Sequence, residues 1–182
     1  MSKQALIIID IQNDYFPGGK WALEGADQAA DNAARLLDAA RQRGDLVVHV
    51  RHEFESSDAP FFVPGSEGAA IHAKVQPVDG EPVVLKHKVN AFRDTPLKTT
   101  LDQHGITDLT IVGSMSHMCI DAATRAAADF GFDVTVAHDA CATLPLDFNG
   151  KQVPAADVQA SAMAALAFAY AKVVKTDELL KR

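Results

Sequence analysis

Residues 108–121 read DLTIVGSMSHMCID, and this stretch contains the strand-to-helix turn around which the rest of the chain can be arranged. Residues 108–113 have the apolar pattern of a buried strand, and residues 119–130 have the pattern of a helix. The first N–H groups of a helix lack internal partners, and the helix dipole is positive at that end. Both effects favour the thiolate of Cys119, which is the nucleophilic form of cysteine. The alternative interpretation of Cys119 is a small buried core residue.

Strand and helix patterns alternate along the chain, with no linker or internal repeat between them. Short apolar runs typical of buried strands cover residues 5–9, 46–50, 82–85, 108–113, 133–137 and 171–175. Helical periodicity covers residues 27–43, 95–104, 119–130 and 155–170. Helical crossovers between strands imply a parallel sheet with helices on both faces. The sequence therefore predicts one α/β domain over residues 1–182, in three layers (α/β/α) around a mostly parallel six-stranded Rossmann-like sheet.

The composition narrows the partners that the protein is expected to have. The chain has 182 residues, 48% of them hydrophobic, and a net charge of −7, which argues against a nucleic-acid-binding surface. The apolar run at residues 5–9 ends at Asp10 and is too short for a signal peptide, and no run approaches the ~18–20 residues of a membrane span. Cys119 and Cys141 do not make a disulfide framework. We expect a reduced, cytoplasmic protein with a small-molecule substrate and no nucleic-acid or membrane partner.

Three chemically reactive side chains follow the predicted strands at the same edge of the sheet. Asp10 comes directly after the first strand, Lys86 directly after the third, and Cys119 a short loop after the fourth. Active sites of open parallel sheets lie beyond the carboxyl ends of the strands. Taken singly, Asp10 fits a turn or cap residue better than a catalytic one, and Lys86 fits a solvated strand end. Together the three indicate a catalytic site.

The segments that carry these residues resemble the isochorismatase-like cysteine hydrolases, a family that includes nicotinamidases, N-carbamoylsarcosine amidase and streptothricin hydrolase. Residues 5–15, ALIIIDIQNDY, are similar to the family's opening strand and its D-x-Q-N-D-aromatic motif. Residues 86–92, KHKVNAF, match K-x-x-x-x-A-F. Residues 113–119, GSMSHMC, match G-x-x-T-x-x-C, with Ser116 in place of the usual Thr. The resemblance extends from about residue 4 to residue 175.

The resemblance implies a catalytic triad of Asp10, Lys86 and Cys119. It also implies a cis peptide bond between Ser114 and Met115, and an oxyanion hole formed by the N–H groups of Met115 and Cys119. In this scheme Lys86 lowers the pKa of the thiol, and Asp10 takes the thiol proton and delivers it to the leaving amine. A thioester on Cys119 is then hydrolysed by water.

Aromatic and polar residues near the predicted strand ends are candidates for the substrate pocket. We expect substrate contacts from the residues at or near the first, second and third motifs, namely Tyr15, Gln12, Phe16, Trp21, Phe92 and His117, with Phe61 and Phe62 as further candidate walls. Packing between loops is the alternative for the aromatic residues, and turn capping is the alternative for His117. Gln12 is also expected to support the site by hydrogen bonding.

The sequence favours a site without a metal or other cofactor. Nicotinamidases carry a D-x-H pair after the second strand, whereas this chain has RHE at residues 51–53. His52, Glu53 and the distant His72 are the residues from which a metal site would have to be built, and Arg51 beside a dication is unfavourable.

These observations predict a cysteine-dependent hydrolase that cleaves a C–N bond of a small amide, lactam or carbamoyl compound. An isochorismatase-type ether hydrolase remains an alternative, although such enzymes generally lack the cysteine. A non-catalytic binding protein that keeps a vestigial site is another. Alanine-rich helix faces suggest close packing between subunits, so we expect a homo-oligomer, a dimer or a tetramer.

Overall fold

The computed structural model describes residues 3–181, and its centre is a single sheet of six parallel strands. The strands of this sheet are β1 (Gln4–Ile9), β2 (Leu46–His52), β3 (Val83–Lys86), β4 (Asp108–Ser114), β5 (Asp133–Ala142) and β8 (Lys172–Val174). Their order is β3-β2-β1-β4-β5-β8, so the direction of winding reverses between β1 and β4. All six predicted strands are present, and the fold class is confirmed.

Helices cover both faces of the sheet, because alternate residues of the buried strands point to opposite sides. Leu6 and Ile8 of β1 pack in a core with α1 and α5, and Ile7 and Ile9 pack in a second core with α2, α3 and α4. None of the helices within residues 3–181 is long and apolar enough to span a membrane. The helices are α1 (Ala26–Arg43), α2 (Leu97–Gln103), α3 (Asp121–Asp129), α4 (Ala155–Ala169) and α5 (Thr176–Leu180).

Several elements differ from the sequence prediction. A small antiparallel hairpin of β6 (Leu146–Phe148) and β7 (Lys151–Val153) lies between β5 and α4, where the sequence predicted neither a strand nor a helix. The short helix α5 was not predicted, because a single turn and a half carries too little periodicity to read. The helix expected to begin at Cys119 begins instead with a π-helical turn, Ser116–Ile120, that continues into α3. Cys119 therefore lies inside this turn.

The close approach of β4 to β1 at the centre of the sheet depends on Gly113. Gly113 pairs with Ile9 across β1 and β4, and its φ of +127° lies in a region that side chains disfavour. A Cβ atom at this position would lie 1.8 Å from the carbonyl oxygen of Ile9. Glycine thus allows the end of β4 to approach the end of β1 closely, and this approach brings the loops that follow the two strands together.

Candidate active site

The structure brings Asp10, Lys86 and Cys119 into mutual contact at the carboxyl edge of the sheet. The Nζ atom of Lys86 lies 2.8 Å from Oδ2 of Asp10 and 3.2 Å from Sγ of Cys119. Asp10 follows β1 with a positive φ of 52°, and Lys86 is the last residue of β3. Asp10 and Lys86 have no exposed surface, and Cys119 is 5% exposed.

Lys86 is the centre of this group. Besides Asp10 and Cys119, its ammonium group contacts Nδ1 of His52 at 2.9 Å and the carbonyl oxygen of Lys88 at 3.1 Å. His52 and Lys86 are register partners at the ends of β2 and β3, so the lysine side chain reaches past β2 toward β1. These contacts satisfy an ammonium group that burial alone would make costly.

Burial and charge determine the protonation of the three groups. Burial raises the pKa of the Asp10 carboxyl above its ordinary value, and the contacts with Lys86 oppose this. Burial disfavours the ammonium form of Lys86, but the Asp10 carboxylate and the Cys119 sulfur raise its pKa more than burial lowers it. Burial raises the pKa of the Cys119 thiol to about 12, with Asp10 adding to the rise and Lys86 opposing it.

Lys86 lowers the pKa of the Cys119 thiol as predicted, but burial and Asp10 outweigh it, so the net lowering that we expected is wrong. The prediction considered the helix dipole and a nearby lysine, whereas the structure adds deep burial and a carboxylate beside the sulfur. Burial thus favours the neutral thiol of Cys119, and the ammonium group of Lys86 contacts both this sulfur and the carboxyl group of Asp10. A proton acceptor is needed to generate the nucleophile, and Asp10 is the carboxylate in position to accept it.

The loop between β4 and the π-helical turn shapes the other side of the site. The peptide bond between Ser114 and Met115 is cis. The carbonyl oxygen of Met115 accepts from the N–H groups of Met118 at 3.0 Å and Ile120 at 3.2 Å, which fixes the turn that carries Cys119. Ser116 is buried and its hydroxyl donates to the carbonyl oxygen of Ala142 at 3.2 Å. The oxyanion hole at Met115 and Cys119 stays a prediction.

A cavity of about 540 Å³ opens onto Cys119. Its apolar wall includes the predicted residues Tyr15 and Phe61, and its rim carries four polar or charged residues. The apolar lining residues are Tyr15, Phe54, Phe61, Val89, Met115, Met118 and Ala122, and the polar or charged residues of the rim are His87, Lys88, Asn90 and Arg93. The mixture of an aromatic wall and a few polar groups is typical of a small-molecule site.

Other predicted substrate contacts lie away from this cavity. Phe16 is buried against the ring of His72, with 3.7 Å between ring centroids. Phe92 packs against Phe130 and Phe132. The rings of Phe16 and Phe92 do not line the cavity, and their contact with substrate stays a prediction.

Trp21, His117 and Gln12 also have partners of their own. The ring of Trp21 stacks on Phe61 with 4.8 Å between centroids, and Nδ1 of His117 lies 2.7 Å from Oγ1 of Thr143. None of the three lines the cavity. Substrate contact by these three residues also stays a prediction, and their contacts in the structure are with neighbouring protein groups.

Gln12 has the supporting position that the sequence also suggested. Its Nε2 donates to the carbonyl oxygens of His52 and Ala69, both at 2.8 Å, and its Oε1 accepts from the N–H of His52 at 2.8 Å. The amide is thus engaged with backbone groups and leaves the chemistry to its neighbours. Gln12 fixes the end of β2 beside the reactive residues.

The main residue that sequence reasoning missed is His52. It was considered only as a metal ligand, but its ring is buried, lines the cavity and contacts Lys86. The signal that could have found it is its place at the end of the second strand, directly beside the lysine-bearing strand. Phe54, two residues further on, also lines the cavity and was not predicted, and the same position at the end of the second strand could have indicated it.

The residues considered for a metal do not fit one. Nδ1 of His52 faces the ammonium of Lys86, Glu53 is paired with Arg51 at 2.6 Å, and His72 stacks on Phe16. A metal dication at His52 would be repelled by the ammonium group of Lys86. Residues 3–181 contain no group of three or more His, Cys, Asp or Glu side chains arranged to hold a metal ion.

Comparison with known proteins agrees with this architecture. The family model of the isochorismatase domain matches residues 4–178. The uncharacterized isochorismatase family protein YddQ of Bacillus subtilis (strain 168) is 48% identical over 177 residues, which are 97% of this chain and 98% of that protein. A streptothricin hydrolase of Streptomyces noursei is 36% identical over 140 residues, which are 77% of this chain and 50% of that protein.

A solved structure has the same fold over almost the whole chain. The crystal structure of a putative isochorismatase hydrolase from Oleispira antarctica superposes on this chain with a TM-score of 0.95. The two sequences are 58% identical, and the match covers 98% of this chain and 96% of the other. The sequence match and the shared fold lead to one assignment. The chain belongs to the isochorismatase family of hydrolases.

Proposed function

We propose that this protein hydrolyses a C–N bond of a small amide, lactam or carbamoyl compound through a thioester on Cys119. The observation that carries the proposal is the buried contact of Asp10, Lys86 and Cys119 beside a cavity of substrate size. A carboxylate, an ammonium group and a thiol in contact supply the base, the counter-charge and the nucleophile of acyl transfer. The relative that hydrolyses streptothricin supports the hydrolase class.

The first step of the proposed reaction moves one proton and forms one bond. Asp10 accepts the thiol proton as the sulfur attacks the carbonyl carbon of the substrate. Because the carboxylate loses its charge when the sulfur gains one, the net charge of the buried site does not change. The ammonium of Lys86 lies 2.8 Å from the carboxylate and 3.2 Å from the sulfur, so it stays beside the negative charge throughout. This arrangement explains how a thiol with a pKa of about 12 can act at neutral pH.

The second step releases the amine, and the third regenerates the enzyme. As the sulfur attacks, the carbonyl oxygen of the substrate becomes an oxyanion. The N–H groups of Met115 and Cys119 are proposed to stabilise this oxyanion, and each such donor lowers the barrier by about 3–4 kcal/mol in other acyl-transfer enzymes. The intermediate then collapses, the C–N bond breaks, and Asp10 returns its proton to the leaving nitrogen. Water attacks the thioester with Asp10 again as the base, which releases a carboxylic acid and the free thiol.

The test is ammonia release from a panel of small primary amides by the wild type, Cys119→Ala and Cys141→Ala. Cys141 is the matched control, because its thiol is also buried but contacts the carbonyl oxygen of Ala137, outside the cavity that Cys119 lines. We expect Cys119→Ala to lose at least ~10³-fold in kcat, as the loss of a nucleophile does in other triads, and Cys141→Ala to keep most of its activity.

Two outcomes would favour the other readings of the site. Turnover of a vinyl ether substrate that survives Cys119→Ala would indicate the ether hydrolase. Ligand binding without turnover of any amide in the panel by the wild type would indicate a vestigial site. Equal amide turnover by Cys119→Ala and the wild type would refute the proposed mechanism.

A further inference from the structure

The ring of His52 connects the reactive residues with the cavity. His52 ends β2, and its register partner on β3 is Lys86. The ring lines the same cavity as Cys119 and Met115, although the residue is only 7% exposed. Its backbone is held on both sides by the amide of Gln12, as described above. The position of this imidazole is therefore well defined, and its two nitrogens face different neighbours.

The contact with Lys86 determines which nitrogen carries the proton. Nδ1 lies 2.9 Å from the ammonium of Lys86, and an ammonium group can only donate hydrogen bonds. Nδ1 must therefore accept, so the proton of the neutral ring is on Nε2. Burial, together with the positive charge of Lys86, lowers the pKa of His52 to about 3. The ring thus stays neutral in the physiological range, with an N–H group at Nε2.

This Nε2–H group has no hydrogen-bond partner among residues 3–181, although the atom is buried. The ring of His52 packs edge to face with the ring of Phe54, with 4.8 Å between centroids, and its centroid lies 6.1 Å from that of Phe62. An aromatic ring is a weak acceptor, whereas an unsatisfied buried donor costs about 1–3 kcal/mol. Because protein neighbours do not satisfy the donor, the cavity that the ring lines is the place from which a partner can come.

We propose that His52 is a substrate-binding residue whose Nε2–H donates to a hydrogen-bond acceptor on the acyl part of the amide. The substrate class is then a small carboxamide with an apolar or aromatic body, which meets Tyr15, Phe54 and Phe61, and an acceptor such as a ring nitrogen, carbonyl or ether oxygen. This inference rests on the proposed function, because that function places the scissile carbonyl at Cys119. The ring also positions Lys86, since its Nδ1 accepts from the ammonium.

The test measures binding rather than turnover, in the Cys119→Ala protein. The probes are nicotinamide and isonicotinamide, which carry a ring nitrogen acceptor, and benzamide, which has the same shape without it. A hydrogen bond from a neutral donor is worth about 0.5–1.5 kcal/mol, so we expect at least one pyridine carboxamide to bind about 3- to 10-fold more tightly than benzamide. Dissociation constants from calorimetry or NMR titration give this ratio.

Substitution of His52 should remove the preference. In His52→Asn the side-chain oxygen can replace Nδ1 as the acceptor for Lys86, but no donor reaches the position of Nε2. We expect the pyridine-to-benzamide preference to fall to about 1, while benzamide binding is retained. His72→Asn is the matched control, because His72 stacks on Phe16 outside the cavity and should leave the preference unchanged.

A spectroscopic measurement covers the possibility that His52→Asn does not fold. In Cys119→Ala protein with ¹⁵N-labelled histidine, the ring of His52 should show the Nε2–H tautomer, and its Nε2–H proton should shift on addition of the preferred pyridine carboxamide. Equal or absent binding of all three probes, a preference that survives His52→Asn, or a proton on Nδ1 would overturn the proposal. Failure of the proposed function would appear separately, as no ammonia release by the wild type with the probe binding preference intact.

Discussion

The buried pair of Asp10 and Lys86 makes a sharp prediction about stability, because both side chains are fully buried and their charged atoms lie 2.8 Å apart. At an effective dielectric constant of about 20, two unit charges at this distance attract by about 6 kcal/mol. Much of this attraction offsets the cost of removing both charges from water. Removal of one partner leaves the other charge buried without compensation, and measured costs of such changes are about 3–5 kcal/mol.

We therefore expect Lys86→Met and Asp10→Asn each to destabilise the fold by about 3–5 kcal/mol near pH 8. The double variant should be far more stable than the sum of the two losses implies, with a coupling energy of about 3 kcal/mol or more, because it contains no isolated charge. The assay is urea unfolding of the four proteins, followed by tryptophan fluorescence and circular dichroism, with midpoints compared at constant m-value.

Additive losses in this cycle, with a coupling below about 0.5 kcal/mol, would refute the reasoning. That result would mean that the two groups do not interact as ions in the folded protein. None of the three variants is expected to hydrolyse amides, because each lacks the base or the counter-charge. Restored stability without restored activity would separate the energetic role of the pair from its chemical role.

Three further predictions follow from single positions. Asp10 must be ionised to accept the thiol proton, and burial raises its pKa. In a pH–rate profile, kcat/KM should therefore fall as the pH is lowered, with a midpoint above 3.8, the ordinary pKa of an aspartate. A midpoint below this value would argue against Asp10 as the base. Gly113→Ala should lower the free energy of unfolding by at least ~3 kcal/mol in the same urea assay, because the new Cβ would lie 1.8 Å from the carbonyl oxygen of Ile9. The control is Gly105→Ala, where φ is +63° and a Cβ would meet no atom within 4 Å, and this variant should cost about 1 kcal/mol. Gln12→Leu removes three hydrogen bonds to buried backbone groups and should cost about 3 kcal/mol or more in thermal or urea unfolding. A loss below 1 kcal/mol would argue against a role of Gln12 in fixing the end of β2.

The sequence predicted the sheet and its reactive edge because both depend on local signals. Apolar runs marked every strand of the parallel sheet, and Asp10, Lys86 and Cys119 follow three of those runs. Parallel strands place their carboxyl ends together, so three separate positions in the chain become one site without knowledge of the loops.

The environment of the site could not be predicted in the same way. The pKa of Cys119 depends on burial and on the distance to Asp10, which the order of residues does not encode directly. The contact between His52 and Lys86 depends on the register of β2 and β3. The cavity depends on how the segment after β2 folds back, which brings Phe54 and Phe61 to its wall while Phe16 and Trp21 pack elsewhere. These are long-range packing outcomes, and aromatic residues in loops fit several of them.

The central claim is that the sulfur of Cys119 carries the acyl group during turnover. Acid quenching of the wild type during hydrolysis of its best amide, followed by intact and peptide mass spectrometry, tests this claim directly. We expect a mass increase equal to the acyl group on the peptide that contains Cys119, with Cys141 unmodified. Ammonia release at the full rate with Cys119 unmodified at every quench time, or an acyl group on another residue, would contradict it.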